Sequence, residues 1–187
     1  MIDIFLQSIR SIGSFTEDEI DTVRNALSPK FYKKGTLLLD QGEVCSCFWF
    51  LETGSVYSYF FNAALDQQTT GLYVRGSWLV DQASFTARAP SKYKIAAFED
   101  TETLILNIHD LHDLIGRSPV FFQLGKILGN PEHDAFRKER GPDERYLQLL
   151  NNQPQLLQTF PLKYIASYLG MTPETLSRVR KRISDIS

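Results

Sequence analysis

Short runs of β-branched and aromatic residues, separated by glycines, fill the chain from Phe31 to about Leu106 and constrain its fold more than any other feature. The runs are Thr36–Leu39, Cys47–Leu51, Ser55–Phe61, Thr69–Val74, Lys94–Phe98 and Thr103–Ile108. The glycines expected at the intervening turns are Gly35, Gly42, Gly54, Gly71 and Gly76. Many short strands at this spacing are typical of an antiparallel barrel or sandwich, and they argue against alternating strands and helices.

A helix is predicted on each side of this β-rich stretch. Thr16 and Glu19 form a capping-box pattern, and apolar residues then recur at helical spacing until Pro29. This pattern predicts one short N-terminal helix. On the other side, Asp110 is expected to cap a short helix that Gly116 ends.

The composition is that of a globular protein and excludes several classes. Of the 187 residues, 43% are apolar, and 20 basic residues against 22 acidic ones give a net charge of −2. This balance excludes a disordered chain and a wholly basic protein that coats nucleic acid. No apolar run approaches the ~18 to 20 residues that span a bilayer, and the start lacks the positive segment of a signal peptide. We therefore expect neither export nor a membrane partner.

Cys45 and Cys47 are the two cysteines of the chain, too few for a disulfide framework. One residue apart on a predicted strand, they point to the same face without bridging geometry. We interpret them as half-buried free thiols, with a redox pair as the weaker alternative. Free thiols favour a reducing cytoplasm as the location.

The pattern becomes helical again after Ser118, where four apolar residues are spaced for one face: Phe122, Leu124, Ile127 and Leu128. Gly125, Gly129 and Pro131 disfavour a continuous helix, so a break is expected near Asn130. The domain boundary then lies between about Gly129 and Pro142. We predict a β-rich domain over residues 1–117, a connecting and dimerisation helix region over 118–141 and a helical domain over 142–187.

Residues 162–181 meet the requirements of a helix-turn-helix. Ala166 is the small residue that two closely crossing helices need, and Gly170 tolerates a positive φ at the tight turn. Thr172 can cap the second helix, and Pro173 suits its first position. The predicted shared core comprises Ile165, Leu169, Met171, Leu176 and Val179. An ordinary helical hairpin with the same small residues is the alternative.

The second helix of this motif presents a polar, basic face. The chain carries a net charge of −6 up to Phe136 and +4 after it. The residues predicted to contact DNA are Thr172, Glu174, Thr175, Ser177, Arg178, Lys181 and Arg182. Glu174 can accept from a cytosine amino group and Arg178 can pair with guanine, whereas Thr175 and Lys181 suit phosphates. A solvated helix end with cations near the C-terminal dipole is the alternative interpretation.

Together these segments resemble the Crp/Fnr superfamily of bacterial transcription regulators. Gly42-Glu43 and the stretch 48–56 are similar to the glycine-turn, strand, glycine-turn signature of its cyclic-nucleotide-binding β-roll. Residues 144–150 resemble the start of its DNA-binding domain, and residues 172–178 resemble its recognition helix, in which Glu174, Ser177 and Arg178 share the base-reading face.

This resemblance implies an α+β fold. An N-terminal antiparallel β-roll, a jelly-roll-like sensor domain with flanking helices, is followed by a connecting helix and an all-α helix-turn-helix domain. It also implies a cytoplasmic homodimer that binds double-stranded DNA, with RNA polymerase as a further candidate partner.

The effector pocket departs from the family pattern. Nucleotide-binding members carry a Phe-Gly-Glu turn and a following Arg-Ser, where this chain has Val80-Asp81 and Lys92-Tyr93. Val80 replaces the glycine that lets the backbone approach a phosphate, and Lys92 cannot make the bidentate fork of arginine. We predict a degenerate pocket that does not bind cyclic AMP tightly. An unidentified small-molecule effector remains an alternative.

Neither catalysis nor a resident metal is expected. A cupin-type metal enzyme would need clustered histidines, but His109, His112 and His133 lie outside the predicted barrel. Surface positions are the favoured interpretation of His109 and His112, with haem ligation as the alternative. Two cysteines cannot supply the four ligands of an iron-sulfur cluster. The alternative function is a module that binds an effector or a protein and has lost DNA binding.

Overall fold

The computed structural model describes residues 3–127 and 141–184. The chain divides into two compact units. The first comprises residues 1–56 with 73–130, and the second comprises residues 57–72 with 131–187. The predicted boundary between Gly129 and Pro142 falls mostly outside the described residues, so the three-part division stays a prediction.

Two four-stranded sheets form the β-rich core, as the glycine-punctuated runs predict. The first sheet has the order β1-β8-β3-β6 and the second the order β2-β7-β4-β5. The strands are β1 (Ser28–Tyr32), β2 (Leu37–Leu39), β3 (Cys47–Leu51), β4 (Ser55–Phe61), β5 (Gln67–Val74), β6 (Trp78–Leu79), β7 (Lys94–Ala97) and β8 (Thr101–Asn107). Strand β3 pairs antiparallel with both β6 and β8. The sequence analysis missed β1 and β6.

The core of the first unit lies around strand β3, whose five residues are all buried. Phe48, Phe50 and Leu51 have no exposed surface, because the faces of this central strand are covered on both sides. Two helices add apolar side chains to this core. The ring of Phe5 meets that of Phe50 edge to face at 5.5 Å.

Helices α1 (Ile4–Ile12) and α2 (Glu17–Asn25) precede the sheets. The capping box of α2 is confirmed, because the Glu19 N–H donates to Thr16 Oγ1 and the Glu19 carboxylate accepts from the Thr16 N–H. The expectation of a single N-terminal helix was wrong, since α1 also forms, with Asp3 as its N-cap. Its apolar residues recur at helical spacing, a signal present in the sequence.

Four of the five expected turn glycines have a positive φ, namely Gly35, Gly42, Gly54 and Gly76. At Gly54 a Cβ atom would lie 2.4 Å from the carbonyl oxygen of Asp100, so only glycine fits there. Gly71 is different, because it is buried inside β5. The expectation of a turn at Gly71 was therefore wrong.

Helix α3 (Gln82–Ala87) follows β6, and α4 (Ile108–Arg117) follows β8. The expected ends of α4 need correction. Asn107 is its N-cap residue, Asp110 lies in its first turn, and the helix continues past Gly116. The Asp110 carboxylate accepts from the Asn107 side-chain amide instead of from the helix backbone.

A 3-10 helix occupies Pro119–Ile127, where the sequence predicted an α-helix. Of the predicted apolar face, Leu124 is buried as expected, but Phe122 is exposed and Phe121 is buried in its place. The spacing of buried residues by three fits the 3-10 period. The rest of the predicted connecting helix, with Leu128, Gly129, Asn130 and Pro131, lies outside the described residues.

In the second unit, the described residues 141–184 are mainly helical, and residues 57–72 contribute parts of β4 and β5. Its helices are α5 (Pro142–Asn152), α6 (Pro154–Thr159), α7 (Leu162–Tyr168) and α8 (Pro173–Ser184). Helix α6 is a short element that the sequence analysis missed. The buried apolar residues of these helices and their connections are Tyr146, Leu149, Leu156, Phe160, Ile165, Ala166, Tyr168, Leu169, Leu176 and Val179.

No helix within residues 3–127 and 141–184 combines the length and apolarity needed to cross a membrane.

Candidate nucleic-acid interface

The turn between α7 and α8 has the geometry that the sequence predicts. Gly170 has φ +67, the left-handed conformation that glycine adopts most readily. The Met171 N–H donates to the Ala166 carbonyl at 2.9 Å, and the Gly170 N–H donates to the Ser167 carbonyl at 3.0 Å. This pair of bonds is a Schellman motif, which ends α7 and fixes the direction of the chain toward α8.

The core of the helix-turn-helix also matches the sequence analysis. Ala166, Leu169, Leu176 and Val179 have no exposed surface. Met171, which was expected in the same core, is half-buried. A small buried residue on α7 lets the second helix approach closely, as a helix-turn-helix requires.

The second helix begins as predicted. The Thr175 N–H donates to Thr172 Oγ1 at 3.2 Å, so Thr172 caps α8. Pro173 occupies the first helical position, where no backbone donor is lost. Thr172 is exposed and Thr175 half-buried, and their hydroxyl oxygens lie 3.2 Å apart.

Helix α8 presents an exposed polar face opposite its buried Leu176 and Val179. The exposed members of the predicted DNA-contacting set on this helix are Glu174, Ser177, Arg178, Lys181 and Arg182. The pKa of Glu174 is lowered, because its own backbone N–H and the Thr172 hydroxyl donate to the carboxylate and Arg178 lies nearby. Glu174 is therefore an anion at neutral pH and can act only as a hydrogen-bond acceptor.

Arg182 differs from the other basic residues of α8, because its guanidinium forms a bidentate ion pair with the Asp143 carboxylate of α5. Arg180 is exposed on the same helix, although it was not among the predicted contacts.

Residues 57–72 of the second unit contact the first helix of the motif. The Thr69 N–H donates to Ser167 Oγ at 2.8 Å, and the rings of Tyr57 and Tyr164 meet edge to face at 5.3 Å. Burial, together with Tyr59 and Tyr164, raises the pKa of Tyr57 to about 12. No pattern in the sequence pointed to these contacts.

In the first unit, the predicted pocket residue Asp81 is buried, and each of its carboxylate oxygens accepts a hydrogen bond. One carboxylate oxygen accepts from the Ser84 N–H at 3.1 Å and thereby caps α3. The other accepts from the Ser91 hydroxyl at 2.6 Å. Both carboxylate oxygens therefore already accept a hydrogen bond from within the protein.

Hydrogen bonds connect the segments around Asp81, and they involve residues that no sequence pattern singled out for this role. Ser84 Oγ accepts from the Cys45 N–H at 2.9 Å and donates to the Ala89 carbonyl at 2.6 Å. The Arg88 guanidinium donates to the Cys45 carbonyl at 3.0 Å. These partners are ten or more residues apart in several cases, so the local pattern carried no signal for them.

The other predicted pocket residues do not form a nucleotide cradle. Lys92 is exposed, while Val80 and Tyr93 are half-buried, and the Tyr93 N–H donates to Ser91 Oγ at 3.0 Å. Val80 adds a side chain where a phosphate would need close backbone approach. Among the four predicted pocket residues, only Asp81 is buried.

Both cysteines are free and more deeply buried than expected. Burial raises the pKa of the Cys47 thiol to about 12 and also raises that of Cys45. His109 and His112 are exposed, whereas His133 lies outside the described residues. No cluster of potential metal ligands occurs among residues 3–127 and 141–184.

Comparison with known proteins shows a match to the cyclic nucleotide-binding domain over residues 29–118. The fumarate nitrate reduction regulatory protein of Klebsiella oxytoca is 25% identical, with 90% of this chain and 74% of that protein covered. FixK2 from Bradyrhizobium japonicum superposes with a TM-score of 0.69 at 17% identity, covering 85% of each chain. The catabolite activator protein of Thermus thermophilus gives 0.57 at 20% identity, covering 92% of this chain and 85% of that one.

The chain therefore contains a stretch similar to the cyclic nucleotide-binding domain, followed by helices that form a helix-turn-helix. In sequence and in fold, the chain is similar to regulators of the Crp/Fnr type. The predicted fold class is confirmed, and the relatives are transcription regulators and not enzymes.

Proposed function

We propose that this protein is a sequence-specific transcription regulator that binds double-stranded DNA as a homodimer, with α8 in the major groove. The observation that carries the proposal is the Schellman turn followed by a capped helix whose outer face bears Glu174, Ser177 and Arg178. An α-helix fits into the major groove of B-DNA, and this one carries side chains that can pair with base edges.

The electrostatics of the second unit support this function. Arg178, Arg180, Lys181 and Arg182 lie within five consecutive positions, although the chain as a whole has a net charge of −2. Local positive charge on α8 favours phosphate contacts, which supply affinity without sequence information. Glu174 and Arg178, one acceptor and one donor a helical turn apart, supply the sequence preference.

A homodimer follows from the small size of one recognition helix. Two copies related by a twofold axis present two recognition helices, and they bind two half-sites about one helical turn of DNA apart. The Crp/Fnr-type relatives support this arrangement. RNA polymerase is the proposed protein partner at a promoter, and the cytoplasm is the proposed location.

We propose that the regulator works without a cyclic nucleotide. The Asp81 carboxylate accepts hydrogen bonds from the Ser84 N–H and the Ser91 hydroxyl, and Lys92 is exposed. A different small-molecule effector is compatible with this proposal.

The test is selection from fragmented genomic DNA by the purified protein, without added nucleotide, at about 100 mM salt, because salt sets the non-specific background. Enrichment of an inverted repeat supports a dimeric sequence reader that needs no cyclic nucleotide. Failure to enrich any sequence, with and without cyclic AMP, would favour a module that binds an effector or a protein and has lost DNA binding.

A further inference from the structure

Arg145 lies on α5, outside the helix-turn-helix, yet its guanidinium reaches the turn of that motif. Its Nη1 donates to the backbone carbonyl of Leu169, the residue that follows α7. Leu169 has no exposed surface. An arginine from a third helix therefore contacts the backbone where the chain leaves α7.

The Leu169 carbonyl is a group for which such a donor matters. The Schellman bonds satisfy the carbonyls of Ala166 and Ser167, but they leave that of Leu169 to another partner. The carbonyl end of a helix also carries partial negative charge, which a cation stabilises. Arg145 supplies both the hydrogen bond and the charge.

The neighbouring glycine shows how closely the guanidinium is fitted to the turn. A Cβ atom at Gly170 would lie 3.1 Å from Arg145 Nη1. Arg145 Nε is buried, and no acceptor for it exists in the described part of the chain. An unsatisfied buried donor is unfavourable, so the Nε group itself does not stabilise the turn. What arginine adds is the bond to Leu169.

We infer that Arg145 is a positioning residue for sequence recognition, and this inference rests on the proposed function in DNA binding. By holding the turn at Leu169, Arg145 fixes the backbone three residues before the α8 cap Thr172 and five residues before Glu174. A second contact from α5, the ion pair of Asp143 with Arg182, holds the other end of α8. Directional bonds to bases need this fixed geometry, whereas phosphate contacts tolerate small displacements.

The test compares Arg145→Met with Arg145→Lys, which keeps a charged donor. Lys163→Met is the matched control, because it removes one exposed positive charge from α7 without touching the turn. Two quantities are measured: the ratio of affinity for the selected operator to affinity for random DNA at fixed salt, and hydrogen exchange at the amides of Gly170 and Met171.

We expect Arg145→Met to lower the affinity ratio by about ten-fold and to speed exchange at both turn amides, since directional base contacts are lost. Arg145→Lys should recover most of the ratio. Lys163→Met should weaken binding to both DNAs alike and leave the ratio and the exchange rates unchanged.

Several outcomes would overturn the inference. An Arg145→Met protein with the wild-type ratio and wild-type exchange rates excludes a positioning role. Equal loss of operator and random binding would instead make Arg145 a phosphate contact. If the wild-type protein binds no DNA, the proposed function fails, while the exchange rates still show whether Arg145 holds the turn. If the Arg145→Met protein does not fold, Arg145→Gln replaces it, and the same two quantities are compared between Arg145→Gln and Arg145→Lys.

Discussion

Single residues on α8 divide between those that can identify bases and those that can supply affinity. Glu174 and Arg178 lie one turn apart on its exposed face, and the lowered pKa of Glu174 keeps it ionised at neutral pH. Lys181 is exposed further along the helix, while Arg182 is paired with Asp143. The residue types were readable from the sequence, whereas the pairing of Arg182 was not.

Arg178→Ala is expected to lower discrimination between the operator and a single-base variant by about ten-fold, because a bidentate contact to guanine is lost. Lys181→Ala is the control, since loss of a phosphate contact weakens binding to all sequences and reduces the salt slope by about 1. Fluorescence anisotropy over a salt series measures both effects. An Arg178→Ala protein with unchanged sequence preference would exclude a base contact at this position.

The two cysteines provide a pH-dependent prediction. Because the pKa of Cys47 is raised to about 12 in the folded protein, its thiol stays protonated at pH 8. A chromogenic disulfide reagent should therefore react slowly with both thiols in the native protein and rapidly in urea. Because burial favours the protonated thiol, Cys47 contributes to the free energy of unfolding. This contribution is at its full value below the ordinary thiol pKa and is lost as the pH rises from there through about 12. Fast native labelling at pH 8 would contradict the burial of the thiols.

At the scale of elements, the sequence predicted most strands and two helix caps correctly. The ends of other helices differ from the prediction, because contacts within the fold also determine where a helix begins and ends. The capping box of α2 and the Schellman turn after α7 form as their residues predict. By contrast, Asp110 does not cap α4, because Asn107 occupies that position and Asp110 bonds the Asn107 side chain. A capping residue type is common in the first turn of a helix, so the type alone does not identify the boundary.

Alanine variants at two turn glycines separate the energetic cost of a strained backbone conformation from the cost of steric overlap. Gly35 and Gly54 have similar φ values, +81 and +78, but only Gly54 has neighbours within 4 Å of a built Cβ. Gly35→Ala should cost about 1 kcal/mol of unfolding free energy from its backbone conformation. Gly54→Ala should cost about 1–3 kcal/mol more, because the Asp100 carbonyl must move.

Urea unfolding followed by tryptophan fluorescence measures both glycine variants, since Trp49 and Trp78 lie in the first unit. Gly116→Ala, in helix α4 with open space around a Cβ, should be neutral or slightly stabilising. Equal destabilisation by Gly35→Ala and Gly54→Ala would mean that the turn at Gly54 relaxes without cost.

At the scale of the whole molecule, the compact units are not consecutive in sequence. Residues 57–72 belong to the same unit as the C-terminal helices, and within it Thr69 bonds Ser167 and Tyr57 contacts Tyr164. Elsewhere, the polar residues around Asp81 bond one another within the first unit. Both arrangements join segments that no local periodicity connects.

Isothermal calorimetry tests the prediction that the pocket around Asp81 does not bind cyclic AMP tightly. We expect undetectable heat or dissociation in the millimolar range, because Val80 hinders close backbone approach to a phosphate and the exposed Lys92 cannot make the bidentate fork of an arginine. Operator binding should be the same with and without the nucleotide. A micromolar dissociation constant would show that the pocket rearranges to accept it.

Size exclusion with light scattering tests the proposed dimer. The expected mass is twice the 21.4 kDa of the chain at micromolar concentration. A mass near 21.4 kDa, unchanged when operator DNA is present at one chain per half-site, would contradict binding as a twofold pair.

The sequence by itself determined the features whose causes are local: the glycine-punctuated strands, the capping box at Thr16, and the turn at Gly170 with Pro173 after it. It also determined the exposed polar face of α8, since a helical period separates that face from Leu176 and Val179.

Only the tertiary structure decided which distant groups meet. Ser91 bonds Asp81 across 10 positions, Arg145 bonds Leu169 across 24, and Thr69 bonds Ser167 across 98. Backbone carbonyls and N–H groups are nearly identical in every residue, so the partner of a distant side chain depends on packing geometry that residue types do not encode. The hydrogen bonds around Asp81 and the contact of Arg145 with the helix-turn-helix turn both arise in this way.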